Sequence, residues 1–331
     1  MPVDDRFLLP FLNPTSPGTN YWDPPPPGEI TERQMGRVLL QIHQILGLID
    51  QIGLDLKDKR FLDIGTGNGM IPRLLLTYTD LEQAVGADPF LNAEHKTSWQ
   101  KHDEDEAFKR IRDLIAEVCP EIFNYDAYAE LLGYEHHTLK PATVSSARQK
   151  AKEYRFSQTG AHDLEEMGEK FDLFYAKAID HIPDWDGIFK SVNNVANEGS
   201  IFIIKHFSFF SYLGPHRYAT TNIPWGHLLL TDDEYRRFAR EFHAHRHEDM
   251  VKFYFSGLSY PRTTLGELTE MAYQNGFVLD LALNEPLRQA RTFGKMVREV
   301  DDFWGLLREN NPGVSFDEML SGRYHIVFRR L

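Results

Sequence analysis

The chain has 331 residues, 42% of them apolar and 26% charged, a balance that supports a sizeable buried core in one large domain or two small ones. Its formal net charge of -13 excludes a general grip on nucleic acid or docking on an anionic membrane, since both rely on Lys and Arg. A single cysteine, Cys119, leaves no partner for an internal disulfide and predicts a reducing, cytoplasmic setting. The N-terminus "MPVDDRFLLPFLNPTSPG" lacks the positive start and unbroken apolar core of a signal peptide. The longest apolar stretch, "SIFIIKHFSFFSYLG", is interrupted by Lys205 and His206 and falls short of the ~20 residues of a membrane helix, so no membrane insertion is expected.

In chain order, residues 1–30 form a proline-rich arm, because proline lacks the backbone donor and biases its predecessor away from helix. Residues 31–331 form the main domain. From Thr31, a plausible cap, "TERQMGRVLLQIHQILGLIDQIG" has apolar residues at helical spacing. "KRFLDIG" is a strand, "MIPRLLLTYT" a helix, and "QAVGADPF" a second strand ending at Asp88. An insertion at about 92–152 is polar and helical. "YRFSQTGAHDL" and "FDLFYAKAIDHI" supply the third and fourth strands, and "WDGIFKSVNNVANEG" is a helix closed by Gly199. "SIFIIKHF" is a fifth strand, followed by a second insertion at about 207–262. "TTLGELTEMAYQNG" is helical, and "FVLDLAL" and "RYHIVFRRL" are the last two strands. Strands alternating with helices predict an α/β fold: a Rossmann-like, seven-stranded, mostly parallel sheet with helices on both faces and two insertions. The charge runs "HDEDE" and "HAHRHED" are solvated surface on this reading, although alternation would align the histidines of "HAHRH" on one strand face.

"FLDIGTGNGM" carries the strongest functional signal. A strand, a glycine-rich turn and a helix make a ligand site at the carboxyl edge of a parallel sheet. Gly65, Gly67 and Gly69 permit positive φ and close approach of a ligand to the backbone. A dinucleotide site usually reads G-x-G-x-x-G, with the third glycine packing helix against strand. Here that third position is Met70, and the pattern is D-x-G-x-G-x-G with Asp63 inside the strand end.

In these residues the chain resembles the class I S-adenosylmethionine-dependent methyltransferases, whose first motif looks like "LDIGTGNG". The resemblance implies that Gly65, Gly67 and Gly69 lie against the cofactor and that Asp63 helps hold its ammonium group. It implies that Asp88, 23 residues after Gly65, accepts both ribose hydroxyls. In "GAHDL" it assigns Asp163 to the adenine amino group. "FDLFYAKAIDHIPDWDGIF" resembles the family's fourth strand and following helix, and the elements over 264–330 fit its closing strands. The resemblance covers the core strands over 58–330 but not the arm or the insertions. Its implied cofactor is S-adenosyl-L-methionine. A carboxylate suits a ligand carrying an ammonium and a sulfonium better than one carrying two phosphates. Lys177 reads either as a cofactor-pocket residue or as a solvated strand end.

Methyl transfer requires alignment of the nucleophile, exclusion of water and often removal of a proton. His181, after the fourth strand beside Asp180, and His206, after the fifth, are the candidate bases, since imidazole titrates near neutrality. His181 reads equally as a helix-start residue packing the pocket. In the second insertion His216, Arg217, Trp225 and His227 are candidate acceptor-binding residues. Aromatic walls suit a ring or sugar, and Arg217 offers a fork for a carboxylate or phosphate. The same residues also read as a lid packed on its own aromatics. His206, His216 and His227 are spaced 10 and 11 residues apart, matching no compact metal motif, so no metal is expected. The leading expectation is O-methyl transfer to a small-molecule or glycan hydroxyl. Its alternatives are N-methyl transfer to a small molecule and a non-catalytic S-adenosylmethionine-binding interaction protein. Sequence leaves the oligomeric state open.

Overall fold

The computed structural model describes residues 27–90, 106, 107, 109, 110, 154–177, 181–212, 214, 219, 221, 224–242, 247–257, 262–285 and 302–331. Residues 1–26 of the expected N-terminal arm and most of the first insertion lie outside them. Within them the order is α1 (Pro27–Gln51), β1 (Arg60–Ile64), α2 (Met70–Tyr78), β2 (Gln83–Ala87), β3 (Tyr154–Ser157), β4 (Phe171–Ala176), α3 (Trp185–Val195) and β5 (Ala196–His206). There follow α4 (Gly226–Leu229), α5 (Asp232–Phe242), α6 (His247–Lys252), α7 (Leu265–Gln274), β6 (Phe277–Glu285), α8 (Phe303–Asn310), α9 (Phe316–Leu320) and β7 (Arg323–Arg330).

One seven-stranded sheet has the order β3-β2-β1-β4-β5-β7-β6. β1 pairs in parallel with β2 and β4, β2 with β3, and β4 with β5. β7 is antiparallel to both β5 and β6, so the sheet is mostly parallel with a reversed strand near one edge. β1 lies centrally between the two halves of the sheet, at the point where strand order reverses. In open α/β sheets a ligand binds in the crevice at that point.

Both faces are covered, which explains the unbroken apolar runs of the central strands. One face packs on α1 and α2: Leu39, Ile42, Leu46 and Ile49 of α1 meet Phe61, Leu173, Ile201 and Ile203. Their spacing in α1 is the helical stripe read from sequence. The opposite face carries Leu62, Phe174, Phe202, Ile204 and Phe328 against α3 and α7, including Trp185, Phe189 and Leu268. Thr264 and Glu267 form a capping box that starts α7.

Three expectations change. α1 begins at Pro27, before Thr31. Proline is tolerated in a first helical turn, where its missing N–H has no intrahelical partner anyway. The helix after β4 ends at Val195, and Gly199 (φ +72°) lies within β5. The β4–β5 register shifts between the pairs Phe171–Ala196 and Leu173–Ile201, and the glycine accommodates that irregularity. His247 opens a helix, α6, and belongs to no strand.

A third core stands apart from the sheet. It joins Phe209, Trp225, Leu228, Tyr235, Met250 and Tyr254 of the second insertion to Phe303, Leu307 and Met319 of α8 and α9. Two segments distant in sequence thus build one cap.

Candidate active site

The glycine turn leaves β1 and is bonded onto the end of β2. The N–H groups of Gly65 and Thr66 donate to the Ala87 carbonyl at 2.8 and 3.1 Å. Gly65, Gly67 and Gly69 have φ of +74°, +62° and +71°, the left-handed region that disfavours side chains. A Cβ on Gly69 would also sit 2.2 Å from the Tyr154 hydroxyl. The turn therefore needs glycine at this position for both backbone and packing.

Two buried carboxylates face this turn. Asp63 is 4% exposed and accepts the Thr66 Oγ1 hydrogen at 2.7 Å. Burial pushes its carboxyl up to about 7, and nearby Asp88 pushes the same way, against the Thr66 bond and the Lys177 charge. Asp88 is 5% exposed. Its Oδ2 accepts from Gly67 N–H and its Oδ1 from Phe90 N–H, both at 2.9 Å. Each oxygen keeps a further lone-pair direction, which suits a vicinal diol.

Sequence reasoning passed over Gly86 and Tyr154. A Cβ on Gly86 would meet Thr66 Cγ2 at 2.5 Å and the Tyr154 hydroxyl at 2.6 Å. Burial pushes that phenol up to about 12, and the Arg73 guanidinium lies over its ring at 4.8 Å. Gly86 was detectable in "QAVGAD", because a glycine inside a strand marks close backbone approach. Tyr154 left no comparable signal.

Asp163 opens a single 3-10 turn, Leu164–Met167, and is exposed. Its loop follows β3, which is tied to the cofactor edge by the bond from Asp88 N–H to the Ser157 carbonyl at 3.1 Å. Lys177 directly follows β4, close enough for its charge to act on Asp63.

The candidate bases differ in setting. His181 is half-buried beyond the end of β4, and its ring meets Phe253 of the second insertion edge-on at 6.5 Å. His206 ends β5, is 4% exposed, and stands edge-on to Trp185 at 5.7 Å. Asp180, His216 and Arg217 lie outside the described residues.

Trp225 and His227 take the packing role that sequence left as an alternative. Trp225 is fully buried and its indole N–H donates to the Met319 carbonyl at 2.9 Å. His227 is buried, with Nε2 bonded to the Phe209 carbonyl at 2.8 Å, and burial holds its imidazole down at about 3. Both polar tips are engaged by the cap's own backbone.

A glycine cradle with two buried carboxylates fits a cationic adenosyl ligand. It does not fit a diphosphate, whose charge those carboxylates would repel. Residues 32–255 match the family model described as the methyltransferase domain, which is more than half the chain. The protein belongs to that methyltransferase family, and its cofactor is S-adenosyl-L-methionine. None of the curated proteins matches the sequence detectably.

Among solved structures, the chain is similar to the cyclopropane synthase MmaA2 from Mycobacterium tuberculosis. Identity is 12%, coverage 87% of this chain and 84% of that one, and the TM-score 0.44. It is similar to the YcgJ protein from Bacillus subtilis at 14% identity, 87% and 98% coverage and TM-score 0.40. The mycolic acid cyclopropane synthase CmaA1, complexed with SAH, follows at 11%, 87% and 84% coverage and 0.42. These likenesses are too distant to bear on the acceptor. No helix among the described residues is long and apolar enough to cross a membrane.

Proposed function

We propose that the protein transfers the methyl group of S-adenosylmethionine to a hydroxyl of a small-molecule or sugar acceptor, with His181 as the general base. The observation that carries this reading is the place of His181: half-buried beyond the end of β4 and contacted by Phe253 of the cap. The cofactor supplies a methyl carbon already activated by sulfonium. Asp63 would hold its ammonium and Asp88 its ribose hydroxyls, with Asp163 assigned to the adenine amino group. The cap would exclude water, and His181 would take the hydroxyl proton as the oxygen attacks. His206 is the rival base, but its ring is enclosed against Trp185.

Transfer of labelled methyl to pooled sugars and hydroxylated small molecules tests the reading. His181→Ala should lose turnover, together with the acid limb of the rate profile, while cofactor binding persists. Labelling that goes only to amines would overturn the hydroxyl assignment. Turnover and pH profile unchanged in His181→Ala would overturn the base.

A further inference from the structure

A second polar cluster sits at the same edge of the sheet, on the face covered by α1. β5 and β6 end there and β7 begins there, which brings Lys205, Glu285, Arg323 and His325 together. Lys205 pairs with His325 across the β5–β7 ladder, and Glu285 pairs with Arg323 across the β6–β7 ladder. Lys205, Arg323 and His325 share the sheet face of Ile203 and Val327, because side chains alternate along a strand.

Among the described residues donors outnumber acceptors at this place. Lys205 is 3% exposed, and its ammonium donates to Gln44 Oε1 of α1 at 2.7 Å. An ammonium carries three donors, and among the described residues this is the one acceptor it meets. Arg323 Nε is buried with no hydrogen-bond partner among the described residues, and its guanidinium lies over the Phe207 ring at 5.0 Å. Among the described residues Glu285 is the one carboxylate bonded or paired to this cluster. It is bonded to His325 Nε2 at 3.3 Å and to the Gln44 amide at 3.4 Å, and it stands 3.7 Å from Arg323 Nη1. Burial brings Lys205 down to about 8, and the positive charges of Arg323 and Arg37 push it the same way against Glu285. The side chains of Arg323 and Glu285 are 28% and 42% exposed, while Lys205 beside them is buried.

We propose that Lys205 and Arg323 form an oxyanion subsite that takes a carboxylate or phosphate group of the methyl acceptor. A compact oxyanion supplies acceptors for the Arg323 Nε–H and the remaining Lys205 donors that meet none among the described residues. The planar Arg323 fork would meet two of its oxygens while Lys205 contributes a point charge from below. Gln44 would hold the Lys205 side chain in place. As a surface tie alone, the cluster would need no buried ammonium, whose desolvation is costly unless a charge compensates it. The substrate class depends on the proposed acceptor reading; the anion site itself does not.

Calorimetric titration of the full chain with inorganic phosphate and with acetate, at fixed ionic strength set by chloride, tests this. The wild type should bind one of them saturably, and the better-bound probe names the group. Lys205→Met and Arg323→Gln should each weaken that binding by about tenfold or more, the scale of one lost charge-assisted bond. If Lys205→Met does not fold, the more exposed Arg323→Gln decides the matter alone. Absence of saturable binding to the wild type overturns the site, as does wild-type affinity in a folded variant. Titration of the same samples with S-adenosylhomocysteine keeps the two readings apart. Loss of that ligand in the wild type sinks the methyltransferase assignment. Its binding without any anion binding sinks the subsite alone.

Discussion

Asp88 Oδ2 accepts the Gly67 N–H at 2.9 Å, so the end of β2 clamps the turn that leaves β1. The two residues stand 21 apart in sequence and lie just beyond the ends of the neighbouring parallel strands β1 and β2. The bond gives Asp88 two duties. It sets the height of the glycine turn, and it presents the remaining lone pairs of a buried carboxylate to the same space. Loss of the carboxylate should therefore disturb both the proposed ribose contact and the cradle beneath it.

The turn rests on Gly86 as much as on its own glycines. Gly86→Ala places a Cβ 2.5 Å from Thr66 Cγ2 and 2.6 Å from the Tyr154 hydroxyl, so Thr66 of the turn and Tyr154 must shift. Overpacking of this kind costs about 1–3 kcal/mol of stability. Chemical denaturation should show that loss, and calorimetry should show cofactor affinity lowered at least about tenfold, the equivalent of 1.4 kcal/mol. Wild-type affinity in Gly86→Ala would mean that the packing beneath the turn does not govern the site.

Cofactor binding should depend on pH through Asp63. Burial holds its carboxyl up at about 7 in the fold, well above the ordinary carboxylate range. A bound ammonium requires the ionised form, so binding expels a proton below that value. Affinity should fall by about tenfold per pH unit as pH drops below 7. Asp63→Asn should bind more weakly at pH 8 and lose that slope. An affinity independent of pH between 5 and 7 in the wild type would separate Asp63 from the ammonium.

Two buried groups should oppose each other in the stability profile. Asp63 is raised in the fold, so it favours the folded state at low pH, and this contribution is lost as pH rises from about 4 towards 7. His227 is lowered from 6.5 to about 3, so its contribution is present above 6.5 and lost as pH falls towards 3. Each acts at up to about 1.4 kcal/mol per pH unit, and between pH 4 and 6.5 the two offset. Difference curves from denaturant unfolding separate them. Relative to wild type, Asp63→Asn should gain stability as pH rises through this window, and His227→Gln should gain it as pH falls. Parallel curves for wild type and variants would refute both assignments.

Trp225 belongs to the cap core, so its truncation should act on stability first. Trp225→Ala removes a fully buried ring and its bond to the Met319 carbonyl, a loss of about 3–5 kcal/mol. Unfolding followed by tryptophan fluorescence and by circular dichroism should report it. Unchanged stability with a raised acceptor KM would return Trp225 to a ligand-facing role.

The sheet was readable from the chain because its signals are local. β1 with its glycine turn, the apolar run of β5 and the stripe of α1 each declare themselves within a few residues. Asp63 and Asp88 stand out locally too, as acids placed at strand ends, and the structure buries both beside the glycine turn. Long-range packing was not readable. The burial of Trp225 depends on Phe303 and Met319, 78 and 94 positions away, and nothing near "PWGH" signals them. Lys205 looked like a polar interruption of a strand. Its meaning comes from Arg323 and Glu285, which reach it only through the β5–β7–β6 pairing. Tyr154 likewise acquires its place only when β3 pairs with β2 beneath the turn.

The most direct test of the cofactor site is calorimetric titration of wild type, Asp88→Ala and Asp88→Asn with S-adenosylhomocysteine, with folding checked by circular dichroism. The wild type should bind one equivalent. Asp88→Ala should bind at least about tenfold more weakly, since each bond to the carboxylate is worth roughly 1.5–3 kcal/mol. Asp88→Asn, which keeps one acceptor oxygen, should fall between them. Wild-type affinity in a folded Asp88→Ala protein would contradict the account and place the ribose elsewhere.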